Sequence, residues 1–121
     1  MTTTDVYEPR AVVELFGRAL DEADVEQAIS LMTEDCVFEA SWGGGSGTTF
    51  VGREAIGECF RALFEQPGGM QFVEEEPPVV SDDRVVTRWH VITGSTLVRG
   101  VDVYRVRGGK IAEKLTYTKR D

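Results

Sequence analysis

The chain has 121 residues, of which 41% are hydrophobic and 28% charged, a balance typical of one globular domain spanning residues 1–121. Its 13 Lys and Arg against 21 Asp and Glu give a net charge of −8, which argues against nucleic acid and anionic membranes as partners. The start, "MTTTDVYEPR", lacks the apolar stretch of a secretory signal, and no apolar run reaches the roughly 18 residues of a membrane span, so we expect a cytoplasmic protein.

Three amphipathic helices are predicted in the first half of the chain. Residues Pro9–Glu22 repeat apolar side chains at the helical period, and a proline suits the first turn. Asp24 opens a short second helix, where Gln27 completes a capping box and the apolar side runs on to Met32. The third helix is "GREAIGECFRALFEQ", which the Pro-Gly-Gly of residues 67–69 should stop.

Strands are predicted between and after these helices. The segment "CVFEASW" reads as a first strand, and "GGGSGTT" after it as a flexible loop, because no Gly-Lys-Ser/Thr closes it as a phosphate loop would require. Further strands are "MQFVEE" and residues 84–93, 96–106 and 111–119, with turns between them. Helices followed by an antiparallel meander indicate an α+β domain with the helices packed on one face of the sheet.

Cysteine and histidine are scarce. Cys36 and Cys59 are far apart and form no CxxC arrangement, which favours two free, mostly buried thiols. His90 is the single histidine, and no spacing of carboxylates suggests a metal ion, so we expect neither a metal nor a cofactor.

One aspartate occupies an unusual position within "VRGVDVYRVRGGKIAEKLTY". Asp102 lies between two valines of a predicted strand, although aspartate is a poor strand former. A three-residue loop at 107–109 places it opposite Lys114, whereas a two-residue Gly-Gly turn places it opposite Leu115. We prefer the first register because it gives the carboxylate a partner, and Tyr104 then shares its face of the sheet. A purely structural ion pair is the alternative to a functional role.

The order of elements, together with "VDVYRVRGGKI", "GREAIGECFRALF" and "KLTYTK", resembles the nuclear transport factor 2-like superfamily in its SnoaL-like and ketosteroid-isomerase-like branches. The resemblance covers nearly the whole chain. It implies a cone-shaped, strongly curved antiparallel sheet wrapped around three N-terminal helices, a cystatin-like roll that encloses an apolar pocket. It also implies a homodimer through the outer face of the sheet, which agrees with a last hairpin that is partly apolar on both faces.

The resemblance also suggests site residues. Asp102 matches an aspartic acid that helps ketosteroid isomerases to stabilise an enolate. Phe16 and Ala40 stand where those enzymes carry a tyrosine and a base aspartate. The stretch Arg88–His90 corresponds to the Arg-x-Asp of limonene-epoxide hydrolases, and Thr116 stands at the last-strand aspartate of that branch and of the polyketide cyclases. By this match, the side chains at both ends of Arg88–His90 should face the pocket.

From these residues we predict proton transfer next to the carbonyl of a small hydrophobic molecule, catalysed without a cofactor by an isomerase, cyclase or dehydratase. Asp102 and His90 are the predicted catalytic residues, since histidine is the ordinary proton carrier near neutral pH. The alternative is a binding protein that shelters such a molecule without changing it. The residues expected to contact the molecule are Arg88, Lys114, Tyr104, Phe16, Phe38, Trp42, Phe60 and Thr116.

Overall fold

A computed structural model describes residues 8–43, 45–65 and 71–120. These residues form three helices, α1 (Pro9–Asp21), α2 (Val25–Ser30) and α3 (Arg53–Phe64), and seven strands, β1 (Met32–Ala40), β2 (Thr48–Val51), β3 (Val73–Glu74), β4 (Val79–Ser81), β5 (Arg84–Thr93), β6 (Thr96–Arg107) and β7 (Lys110–Arg120). The predicted α+β class is confirmed: the helices pack on one face of a large, curved, unclosed sheet.

The helices begin where the sequence signals them. Proline occupies the first turn of α1, and this helix buries Val12, Val13, Phe16 and Ala19 along one side. The Asp24 carboxylate accepts a hydrogen bond of 3.1 Å from the backbone N–H of Gln27, which caps α2. The predicted stop of α3 at residues 67–69 lies outside the described residues.

The sheet has the strand order β2-β1-β7-β6-β5-β3, and β4 pairs with the first three residues of β5. The strands from β5 to β7 form the predicted antiparallel meander, but β1 joins β7 in parallel. Strand β2 was not predicted, because its four residues are too short for a clear alternation. Met32 was predicted on the second helix, whereas it begins β1 and pairs with Ile111.

The hairpin between β6 and β7 has a different register from the predicted one. Gly108 and Gly109 both have positive φ, +60° and +78°, as a two-residue turn of type I′ requires. A bulge then shifts the ladder by one residue, so that Asp102 pairs with Thr116 and Tyr104 pairs with Lys114. The predicted pairing of Asp102 with Lys114 is therefore wrong, as is its alternative with Leu115.

Candidate functional site

A buried carboxylate lies at the centre of the inner face of the sheet, the face that packs on the helices. Asp102 on β6 is 6% exposed, and both of its carboxylate oxygens accept hydrogen bonds. Thr116 donates to Oδ1 over 2.6 Å and the Lys114 ammonium over 3.3 Å. The indole N–H of Trp89 donates to Oδ2 over 2.8 Å. The shifted register thus preserves the expected ion pair, because Lys114 is a diagonal neighbour of Asp102 on the same face.

Lys114 is buried as deeply as its partner. Its Nζ lies 4.5 Å from the ring centroid of Phe38 and donates to Thr116 over 3.1 Å as well as to Asp102. An ammonium and an indole N–H can only donate hydrogen bonds, so the carboxylate that faces both must accept. Asp102 is therefore the acceptor for both groups, and the ring of Phe38 adds a cation–π contact to the lysine.

Tyr104 brings a buried hydroxyl to the same group. Its side chain pairs across the strands with Lys114, and its hydroxyl lies 3.5 Å from Oδ2 of Asp102, at the limit of a hydrogen bond. Burial, and then the negative charge of Asp102, raise the pKa of Tyr104 well above its ordinary value of 10.0. A hydrogen bond with Thr87 acts in the opposite direction and lowers this pKa. The hydroxyl remains protonated at neutral pH and is available as a donor.

Aromatic side chains surround this polar group. Phe16 meets Tyr104 and Phe60 at centroid distances of 6.0 Å, and Phe38 meets Phe60 at 5.6 Å. Trp42, which is 40% exposed, contacts the edge of Phe38 at 5.9 Å. The structure thus brings together the predicted set of Asp102, Lys114, Tyr104, Thr116, Phe16, Phe38, Phe60 and Trp42 around one side of the core.

Gly100 allows Trp89 to reach the carboxylate. The two residues pair across β5 and β6, and a Cβ built on Gly100 would overlap the indole ring. Without a side chain on Gly100, the indole lies over the β6 backbone and its N–H meets Asp102, two residues further along the strand. Phe72 packs against the indole nearly at right angles, at a centroid distance of 4.9 Å.

The predicted orientation of Arg88 and His90 is wrong. Thr87 and Trp89 face inward with Asp102, so the residues that alternate with them lie on the outer face of the sheet. There Glu75 contacts both, at 3.3 Å from the Arg88 guanidinium and 2.9 Å from the His90 ring. In this structure neither residue can reach Asp102.

Two residues of the site were not predicted, Trp89 and Thr87. A signal for both was present in "RVVTRWHVIT", because the alternating set of Val85, Thr87, Trp89 and Val91 is more apolar than the set of arginines and histidine between them. The match of Arg88–His90 to the Arg-x-Asp of limonene-epoxide hydrolases indicated the other set.

A groove of about 570 Å³ lies on the outer face, away from Asp102. Its lining includes Glu75, Arg88, Arg99, Val101, Tyr117 and Lys119. The apolar pocket expected beside Asp102 stays a prediction. Within the described ranges of the chain, no three His, Cys, Asp or Glu side chains lie together as a metal site would need. None of the helices among these residues is long and apolar enough to cross a membrane.

Comparison with solved structures supports this architecture. A nuclear transport factor 2-like protein of unknown function from Mesorhizobium loti is 31% identical, with 98% of this chain and 97% of that chain covered at a TM-score of 0.81. A Kribbella flavida protein assigned by inference as a ketosteroid isomerase is 18% identical, covering 98% and 82% at a TM-score of 0.79. A cystatin-fold protein from Novosphingobium aromaticivorans is also 18% identical, covering 92% and 98% at 0.79. The last two show the fold alone.

The search of curated protein sequences found no match. The profile of the SnoaL-like domain, in contrast, matches residues 12–114, from the first buried turn of α1 to the lysine that contacts Asp102. The chain belongs to the SnoaL-like domain family.

Proposed function

We propose that the inner face of the sheet binds a small, hydrophobic, carbonyl-bearing molecule, and that Asp102 moves a proton next to its carbonyl group. The observation that carries this proposal is a buried carboxylate held by groups that can only donate, Lys114 and Trp89, beneath aromatic side chains. Such an arrangement supplies both a base and positive charge in surroundings from which water is largely excluded.

In the proposed reaction, Asp102 takes a proton from the carbon next to the carbonyl. The electron pair of the broken C–H bond forms a carbon–carbon double bond, and the carbonyl oxygen becomes an enolate. The hydroxyl of Tyr104, only weakly engaged with Asp102 at 3.5 Å, is free to donate to that oxygen, and the charge of Lys114 stabilises it. Where a further carbon–carbon double bond is conjugated with this enolate, return of the proton to the far carbon of that bond would complete an isomerisation.

A binding protein without catalysis is the second candidate, and two features favour it. Both oxygens of Asp102 already accept hydrogen bonds, so a proton taken from a ligand would compete with the Trp89 and Thr116 donors. Phe16 and Ala40, both fully buried, occupy the positions where the resembling isomerases carry a tyrosine and a base. These features leave Asp102 as the single carboxylate that the proposal assigns to proton transfer.

Deuterium exchange tests the proposal without knowledge of the natural product. The protein is incubated in heavy water with a ketosteroid or an aryl methyl ketone, and NMR follows the loss of the protons next to the carbonyl. We expect the protein to exchange these protons faster than buffer alone does. Asp102→Asn should reduce this excess rate by about 10²–10⁴-fold, the usual contribution of a positioned acid or base. Tyr104→Phe, which removes only the hydroxyl, should reduce it less, by roughly tenfold.

Asp82→Asn is the matched control, because it makes the same change at an exposed turn and should leave exchange unaltered. A rise in melting temperature with the ketone but no exchange would favour the binding protein. If no ketone raised the melting temperature and none exchanged its protons, the proposed pocket itself would be contradicted.

A further inference from the structure

We propose that Lys114 forms a Schiff base with the carbonyl carbon of a small, apolar ketone or aldehyde bound on the inner face of the sheet. The proposal rests on the function proposed above, because the same ligand must reach Asp102, and it adds a covalent role for the lysine. A lysine amine attacks a carbonyl carbon only after it has lost its third proton, so it needs a base within reach. Lysines are almost never fully buried unless they are paired, and few of them lie beside such a base.

Asp102 is the base that the geometry offers to Lys114. Its Oδ1 lies 3.3 Å from Nζ of the lysine, and both side chains are only 8% exposed. The hydroxyl of Thr116 accepts a hydrogen bond from Nζ over 3.1 Å and donates one to Oδ1 over 2.6 Å. Thr116 thus holds the nitrogen beside the carboxylate, and a proton can pass from Nζ to Oδ1 directly.

Apolar rings lie beside the same nitrogen. The ring centroid of Phe38 is 4.5 Å from Nζ and that of Tyr104 is 5.9 Å away. These rings favour a ligand whose carbonyl group is attached to an apolar body. They also restrict the access of water, which would hydrolyse a Schiff base.

Lys114 lies close to partly exposed residues, although its own side chain is buried. Trp42 contacts Phe38 at a centroid distance of 5.9 Å and is 40% exposed, so two rings lead from Nζ to the surface. Cys59 on α3 is half-buried, and its thiol senses the lysine: burial raises the pKa of Cys59, and the positive charge of Lys114 acts in the opposite direction. A ligand that enters between these residues would meet the nitrogen first.

The reaction needs Asp102 only as a temporary proton carrier. Lys114 passes one proton to Asp102, and the electron pair left on nitrogen forms a bond to the carbonyl carbon while the C=O pair moves to oxygen. This oxygen takes a second proton from nitrogen and the first one back from Asp102, and it leaves as water while the C=N bond forms. The product is a cation beside the Asp102 carboxylate. Asp102 can then take the proton from the neighbouring carbon, so that an enamine replaces the enolate.

Reductive trapping in the full chain tests the proposal. The protein is incubated with benzylacetone and sodium cyanoborohydride, which reduces a Schiff base to a stable amine, so the adduct adds the mass of the ketone less one oxygen atom. The chain has three lysines, and Lys110 and Lys119 are exposed. Peptide mapping should find the adduct on Lys114 at least roughly tenfold more often than on either exposed lysine, because a positioned base contributes about 10²–10⁴-fold to a rate.

Two arginine variants provide the comparison. Lys114→Arg keeps a positive charge beside Asp102 but cannot form a Schiff base, so the adduct should be lost. Lys119→Arg is the matched control, because it makes the same change at an exposed position of the same strand and should keep the adduct. If Lys114→Arg did not fold, the mapping of the unmodified protein would still decide between the three lysines.

Equal labelling of all three lysines, or an adduct that persists in Lys114→Arg, would overturn the proposal in favour of unspecific reaction. Absence of an adduct from the unmodified protein would overturn it as well. Deuterium exchange without an adduct would overturn the covalent role of Lys114 alone and leave proton transfer by Asp102 in place. Absence of both exchange and adduct would contradict the proposed function too.

Discussion

Lys114 and Asp102 form a pair whose burial cannot be explained by stability alone. Removing two charges from water costs several kcal/mol for each ion, and replacing a buried pair with apolar residues of similar volume is often neutral or stabilising. Here both side chains are only 8% exposed, and Thr116 and Trp89 supply the remaining hydrogen bonds. The proposed role of Asp102 would account for a chain that keeps this costly arrangement within an aromatic core.

The neighbouring hydroxyl of Tyr104 makes stability depend on pH. Burial raises the pKa of Tyr104 well above 10.0, so above about pH 10 the unfolded chain releases a proton that the folded chain retains. Its contribution to stability is therefore fully present below that pH and is lost as the pH rises towards the folded pKa. We expect the free energy of unfolding, measured in urea, to fall more steeply above pH 10 than in Tyr104→Phe. The difference should approach about 1.4 kcal/mol per pH unit.

Tyr117→Phe provides the comparison for this measurement, because the side chain of Tyr117 is 55% exposed. It should have the same pH dependence as the unmodified chain. If Tyr104→Phe and the unmodified chain had parallel profiles above pH 10, the hydroxyl of Tyr104 would not be buried as the structure shows.

Strand β6 organises the site as an element. It lies between β5 and β7, and its inward residues alternate along the strand, so Gly100, Asp102 and Tyr104 form one line beneath the helices. Gly100 leaves room for the Trp89 indole, and Asp102 accepts a hydrogen bond from the indole N–H. An isolated glycine weakens a strand and marks a close approach by another group, as it does here.

A methyl group at Gly100 should disturb this line. Gly100→Ala would overlap the Trp89 indole, so the ring must move and its hydrogen bond to Asp102 breaks. We expect a loss of about 1–3 kcal/mol in the free energy of unfolding, as for other overpacked sites, together with a shift of the indole N–H resonance. Gly17→Ala is the contrast: nothing lies within 4 Å of its added Cβ, and helix propensity should raise stability by about 0.5–1 kcal/mol. An unchanged indole resonance in Gly100→Ala would contradict the assigned contact.

How far the sequence predicts each element depends on what its pattern encodes. The helical period defines α1 within one residue, and alternation defines β5 at both ends. Alternation separates the residues of β5 into two sets, but it does not show which set faces the core. The set with His90 was expected to face the core because of its possible catalytic role, and this expectation is wrong. The register of the last hairpin was also missed, because a bulge of one residue leaves no mark in composition. The predicted contact between Lys114 and Asp102 is nevertheless present, because the lysine side chain is long enough to reach Asp102 diagonally.

At the scale of the whole molecule, the sheet presents apolar side chains on both of its faces. On the outer face, β5, β6 and β7 align Val86, Val103 and Leu115 in one row, and all three are half-buried in the single chain. An interface centred on this row would also cover Arg88, Val101 and Tyr117, which lie two residues further along their strands on the same face.

We propose that this apolar row joins two copies of the chain, and the mass in solution tests it. Analytical ultracentrifugation should give a dimer for the unmodified protein. Val103→Glu would bury an unpaired charge in that interface and should shift the mass to a monomer, with the helical signal in circular dichroism retained. Ala62→Glu, on the exposed side of α3, adds the same charge and should leave the dimer intact. A dimer that persists in Val103→Glu would place the interface elsewhere, and a monomer in the unmodified protein would show that this row needs no partner.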